Sequence, residues 1–410
     1  MTPEAPPATR APVVGAIRPA PSIAAAPLTP AAPTVAAPPT RPTTPPRSIH
    51  RAAPSGPVTI PDLPPVRARR AVAVIVGLVV SLAGMSLISA GTGQLHVPAD
   101  QVLGSLLHKM GLDLGPMPSH PNGDAVLWNI RFPRLVMGLL VGAALGASGA
   151  VMQGVFGNPL AEPAVIGVSS GAAVGACAVI VFGWTFAGSL SIAAAAFVTA
   201  LITTLIVYTL SRRDGRTEVV TLVLMGVAMQ AVCAGVIAYL VFLGDTAARE
   251  QIVFWQLGSL NGSRWEQVAI AAPCILIGLL GVLLMSRKLD LLALGEKPAR
   301  HLGVNVEALR LTAIVLVTLA VAAAVAFSGI IGFIGLVVPH LIRMTVGPAH
   351  KILVPASAIG GALVITVADL IARTAVDYAD LPIGMLTALV GGPFFFWLLI
   401  RARSQSGGWA

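Results

Sequence analysis

Residues 138–171 read GLLVGAALGASGAVMQGVFGNPLAEPAVIGVSSG, and no charged residue interrupts them before Glu162. An apolar run of this kind reads as a membrane-spanning helix, which needs about 20 residues to cross the hydrocarbon core. Gly138, Gly142 and Gly146 recur at steps of four, and Gly167, Gly171 and Gly175 repeat the pattern further on. Small residues at i and i+4 leave bare backbone along one stripe of a helix. A second helix can then approach closely, and van der Waals contact replaces the hydrophobic drive that lipid removes. Between the two stripes, Asn158-Pro159 and Pro163 break the helix, since proline lacks the N–H and asparagine favours turns.

The rest of the chain follows the same pattern. Of 410 residues, 56% are hydrophobic and only 10% are charged. A soluble chain runs nearer ~45–50% and ~25%. These proportions exclude an ordinary soluble enzyme, a nucleic-acid-binding domain and a coiled coil. Long apolar runs in place of alternation argue against an outer-membrane barrel. Spans are expected at approximately 71–93, 128–154, 162–183, 186–211, 218–243, 265–286, 306–327, 331–346, 353–374 and 383–401. The fold class is therefore an all-α polytopic membrane protein with about ten transmembrane helices.

Residues 1–65 hold 19 of the 33 prolines. Such a segment cannot bury a core and reads as a disordered or polyproline II extension on the cytoplasmic side. The membrane domain covers 66–403, and 404–410 form a C-terminal cytoplasmic tail. Arg67, Arg69 and Arg70 precede the first apolar run, which places the N-terminus inside. Ten crossings return the C-terminus to the same side. On this topology fifteen lysines and arginines fall inside. Six fall outside: Lys109, Arg131, Arg134, Arg249, Arg264 and Arg373. The net charge of +9 is then a record of orientation rather than a nucleic-acid footprint.

Charge within the spans is scarce. Asp369 and Arg373 are four apart, so they share a helix face and can pair. Glu162 and Arg343 fall near the inner ends of their spans. No carboxylate, His or Lys falls near the middle of a span, where ion-coupled transporters keep their coupling residues. A proton-coupled exporter is thus the disfavoured alternative. No GxxxxGK[ST], HExxH or GxSxG occurs, so neither nucleotide hydrolysis of that kind nor proteolysis is indicated. No catalytic residue, cofactor or metal site is expected. Cys177, Cys233 and Cys274 lie in apolar runs and read as buried thiols. What remains is a permease unit energised by another polypeptide, or a channel-like protein. A second break, at Gly329, Gly332, Gly335 and Pro339, mirrors the first. Irregular backbone at membrane depth is tolerated only inside protein or beside a cavity, so paired breaks suggest an inverted repeat around a pathway, helices 2–5 against 7–10.

Several stretches carry a family resemblance. Residues 131–134 are RFPR and run on into 138–171. Residues 255–260 are WQLGSL, 294–303 LGEKPARHLG, 329–347 GIIGFIGLVVPHLIRMTVG, 368–373 ADLIAR and 380–397 DLPIGMLTALVGGPFFFW. Together they resemble the FecCD-type permeases of bacterial ABC importers, over about residues 70–402. The resemblance implies a type II ABC importer permease fold in the cytoplasmic membrane. It implies a homodimer, or a pair with a close paralogue, around one path. Two cytoplasmic ATPase subunits drive it and an extracytoplasmic binding protein delivers the ligand. It implies an iron–siderophore, haem or cobalamin as cargo, of which an iron chelate is the reading adopted.

It also implies three sites. Arg131, Arg134 and Arg373 match outward-facing arginines that pair with glutamates of the binding protein, a role that suits the guanidinium fork. Snorkelling to lipid headgroups is the alternative. Glu296, Ala299, Arg300 and Gly303, within a coupling region at about 287–305, match the short helix that fits a groove on the ATPase; a solvated loop is the alternative. Asn158 and Leu160 match an inner gate, joined by the loop before span 5. There this chain has Val219 and Val220 in place of small polar residues. Gln153, Ser169 and Ser170 read either as path-lining or as helix–helix hydrogen bonders. His340 reads as structural rather than as an iron ligand.

Overall fold

The computed structural model describes residues 65–213, 216–376 and 378–405. The expected extension at 1–65 and most of 404–410 lie outside the described residues. The helices are α1 (Pro65–Gly91), α2 (Ala99–Lys109) and α3 (Gly123–Val126), which runs through a π-helical turn (Leu127–Arg131) into α4 (Phe132–Phe156). A 3₁₀ turn (Pro163–Ile166) leads to α5 (Val168–Phe182), then α6 (Ser191–Leu210). A two-residue ladder of β1 (Arg212–Arg213) and β2 (Arg216–Thr217) precedes α7 (Val219–Leu243) and α8 (Thr246–Leu257). There follow α9 (Trp265–Leu292), α10 (Glu296–His301), α11 (Val306–Ser328), α12 (Ile334–Val346), α13 (His350–Thr374) and α14 (Ile383–Gln405).

Seven stretches are long and apolar enough to cross a membrane: α1, α3–α4, α6, α7, α9, α11 and α13. Three shorter apolar helices, α5, α12 and the Ile383–Trp397 part of α14, complete the ten segments expected. α9 runs past its expected end because Leu289 and Leu292 stay buried while Arg287 and Lys288 face outward, an amphipathic extension. Hydropathy leaves out α2, α8 and the β ladder. α2 and α8 are too short and too polar to span; α8 starts at Asp245, whose Oδ1 accepts from the Ala248 N–H at 2.8 Å.

α4, α11 and α13 form the interior, whereas α1 and α7 bury few of their residues. Glycine sets the closest approach. Gly142 and Gly146 lie against Gly361 and Ser357 of α13. A Cβ at Gly142 would sit 2.7 Å from Ala362 Cα, and one at Gly146 3.2 Å from Gly361 Cα. Gly138 faces Leu260 and Ile365. On α5, Gly171 and Gly175 abut Thr203, Thr199 and Ala195 of α6. Gly167 differs: at φ +84° it is the left-handed residue that turns the 3₁₀ segment into α5, although it too packs on Thr203.

The short helices explain the breaks. α5 and α12 rise only about 20–22 Å at 1.5 Å per residue, less than the ~30 Å core. Irregular backbone makes up the remainder, at 157–167 and at 329–333, where Phe333 has φ +68°. The two breaks meet inside the protein. Gly335 lies against Gly149, and a Cβ on Gly335 would come within 3.2 Å of Pro163 Cδ. Of the first break, Ala161, Pro163, Ile166 and Gly167 are buried while 157–160 stay exposed; in the second, Gly329 and Ile331 are buried.

Candidate functional site

α4 and α13 run antiparallel, so the molecule has an arginine end and an α10 end. At the arginine end α1 stops at Gly91 and leaves its last carbonyls without intrahelical donors. Two guanidinium groups supply them. Arg131 Nη1 donates to the carbonyls of Ala90 (2.6 Å) and Gly91 (3.0 Å), and its Nη2 to that of Leu95. Arg373 Nη1 donates to Thr92 O at 2.5 Å, and its Nη2 to Ser89 O and Ser89 Oγ. Cations at a helix C-terminus also complement its dipole. Arg134 bridges two carboxylates, Asp369 and Asp380, each at 2.9 Å. Asp369 lies 3.6 Å from Arg373 Nε, the i,i+4 pair expected. The three arginines therefore gather in one network tying α1, α4 and α13. Arg131 and Arg134 are only 8% and 9% exposed, because the α1 carbonyls and the two aspartates draw them in. Beside them opens a cavity of about 380 Å³, whose lining includes Gln94, Asn261, Arg373, Tyr378 and Asp380. Tyr378 is 92% exposed at φ +59°.

At the other end α10 is held between glycines in left-handed or extended-positive conformations, Gly295 (φ +108°) and Gly303 (φ +83°). Glu296 anchors it: Oε1 accepts from Arg310 Nη2 of α11 at 2.6 Å and Oε2 from Arg300 Nη2 at 3.4 Å. Ala299 is fully buried, so it seats the helix and does not form a contact face. That corrects its expected role as a contact, while Leu294, Lys297, Arg300, Leu302 and Gly303 remain exposed. Nearby, Glu307 accepts from the Thr217 N–H at 3.0 Å and from Thr217 Oγ1, which fixes the β ladder to α11.

At the α10 end also lies the break after α4. Gly157 (φ +60°) ends the helix, and Asn158 Oδ1 accepts from the Leu160 N–H at 2.9 Å, an Asx turn. Asn158 and Leu160 are exposed. Glu162 is half-buried. α7 grips the following turn: Gln230 Nε2 donates to Ala164 O at 2.9 Å and Gly226 admits the Val165 carbonyl. Gln230 is eleven residues into α7, about 16 Å along the helix. Val219 is half-buried and Val220 exposed at the start of the same helix. Gln153 does not line a path. It is buried, donates to Leu336 O at 3.3 Å and accepts from Arg343 Nη2 at 3.1 Å, the helix–helix alternative. Ser170 Oγ likewise donates to Gly167 O at 3.2 Å. His340 is half-buried, and no His, Cys, Asp and Glu cluster able to hold a metal forms among the described residues.

Comparison with known proteins decides what this arrangement is. Residues 79–401 match the FecCD transport family. The chain belongs to that family. It is 43% identical to a hemin transport system permease protein of Yersinia pestis, covering 69% of this chain and 85% of that protein. It is 42% identical to a cobalamin import system permease protein of Halobacterium salinarum, covering 67% and 73%. It is 40% identical to a vitamin B12 import system permease protein of Escherichia coli, covering 69% and 86%. A solved inward-facing structure of a metal-chelate type ABC transporter aligns with TM-score 0.70 and 34% identity, over 80% of this chain and 99% of that one.

As a FecCD-family ABC importer permease, the chain places its expected docking and coupling residues at opposite ends and its expected gate residues where α4 and α7 begin or end near the α10 end. Residues that hold these sites escaped the sequence reading. Asp380 partners Arg134 across 246 positions. Asp290 partners His350 across 60. Only the quoted stretch beginning at Asp380 hinted at either.

Proposed function

We propose that this chain is the membrane-spanning subunit of an ATP-driven importer of an iron chelate. Two permease chains work with two ATPase subunits, which carry out the hydrolysis, and with an extracytoplasmic binding protein. The observation that carries the reading is α10: a short helix fixed by the Glu296–Arg310 pair and two flanking glycines, with Lys297, Arg300 and Leu302 exposed for a partner. A small rigid helix of this kind suits a groove on another subunit. The lysine and arginine bias supports a cytoplasmic α10 end, with both chain termini on that side. The binding protein then meets the arginine end. Arg373, Tyr378 and Asp380 around the cavity form the contact surface, and Arg131 and Arg134 hold α1 and the 378–380 segment beneath it. Asn158, Leu160, Val219 and Val220 form the inner constriction.

The likeness to the hemin permease and to the metal-chelate type transporter supports an iron-containing cargo, haem or a ferric siderophore. The likeness to two cobalamin permeases favours cobalamin as the second reading. The test is uptake into vesicles carrying the chain with its ATPase and binding protein, using haem, ferrichrome and cyanocobalamin as probes. ATP-dependent accumulation of haem or ferrichrome is expected. Accumulation of cyanocobalamin alone moves the cargo to the second reading. Uptake by this chain alone under a proton gradient overturns the proposal.

A further inference from the structure

The end of α9, the start of α13 and the end of α4 meet at one histidine. α13 begins at His350 without a side-chain cap of its own, because its N-cap position is Ala349. The cap comes from α9. Asp290 Oδ1 accepts from the His350 backbone N–H at 2.5 Å and from His350 Nδ1 at 3.0 Å, and Oδ2 accepts from the Lys351 N–H at 3.4 Å. A carboxylate at a helix N-terminus satisfies orphan donors and complements the dipole. Since the carboxylate can only accept, Nδ1 donates. Nε2 is buried without a hydrogen-bond partner, in a side chain only 2% exposed. It points at Gly154 of α4: the three atoms nearest a Cβ built there all belong to the imidazole of His350. Gly154 lies one turn before Gly157 and the Asn158 turn. Asp290 lies one turn before the residues that lead into α10.

We propose that Asp290, His350 and Gly154 form the mechanical link through which movement of the α9–α10 end reaches the Asn158–Leu160 turn, with His350 as the positioning residue. The physical basis is contact at both ends of one ring. Asp290 holds the imidazole by a hydrogen bond, and the ring fills the notch that Gly154 leaves in α4. Close-packed interiors transmit small displacements because they do not deform continuously. The link rests on the reading of α10 as the ATPase contact.

The test separates the two claims. A chain with Cys177, Cys233 and Cys274 replaced by Ala and carrying Leu160→Cys is assembled with its ATPase in vesicles. Maleimide labelling is timed without nucleotide and after trapping with ATP and vanadate. The unsubstituted link should give rates that differ several-fold. His350→Asn keeps the hydrogen bond to Asp290 but empties the notch; ATP hydrolysis should persist while the two rates become equal. Adding Gly154→Ala refills the notch, and the difference in rates should return. A merely structural role would not produce rescue by this exchange of volume. Equal rates in the unsubstituted link, an unchanged difference in His350→Asn, parallel loss of ATP hydrolysis, or failure of the rescue would each overturn the link. Failure of the α10 reading looks different: Leu302→Cys would then form no crosslink to the ATPase in the unsubstituted chain, and the link would fall with it.

Discussion

Arg134 shows how strongly a buried ion network constrains single residues. Its guanidinium is held between Asp369 and Asp380, and the side chains of Arg134 and Asp369 are 11% and 6% exposed. Removing one partner of a buried pair leaves an uncompensated charge, at a cost of about 3–5 kcal/mol. Arg134→Ala is therefore expected to unfold at markedly lower temperature in detergent, and Asp369→Asn added to it should recover part of the loss. Equal melting of the single variant and the parent would show that the network does not hold the fold.

At the scale of elements, the contrast between glycines is informative. Gly146 has backbone of α13 against the place a Cβ would occupy, whereas Gly84 on α1 has nothing within 4 Å. Gly146→Ala must therefore push α4 from α13, and overpacking of this kind costs about 1–3 kcal/mol. Gly84→Ala meets no neighbour and should be neutral or gain up to about 1 kcal/mol from helix propensity. Thermal unfolding of the two variants side by side reads the difference. The two stripes were legible in the sequence because a step of four maps onto one helix face. Which helix lies opposite was not, since Gly361 and Ser357 are more than 200 positions away. The same limit applies to α10. Its motif located a helix, but the burial of Ala299 is set by the tertiary packing around it and has no local signature.

For the whole molecule, the two ends differ in chemistry and are proposed to face opposite sides of the membrane. Leu302 and Tyr378 are both exposed, one at each end. In right-side-out vesicles, a membrane-impermeant maleimide should label Tyr378→Cys and spare Leu302→Cys, with the reverse in inverted vesicles. Labelling of both from one side would refute the orientation. Between these ends the two broken segments close on each other at Gly149, Gly335 and Pro163.

The sequence by itself determined the helical class, the ten apolar segments and the positions of the breaks. Lipid leaves the backbone one economical solution, hydrogen bonds within each segment, so length and composition suffice to find the segments. Tertiary structure alone decided what the polar side chains do. That Arg131 and Arg134 turn inward depends on the α1 carbonyls and Asp380 being placed beside them. Gln153 read either as path-lining or as a helix–helix hydrogen bonder until α12 supplied Leu336 and Arg343. A buried polar group must find its partner wherever the fold brings one, and those partners lie 36 to 246 positions away.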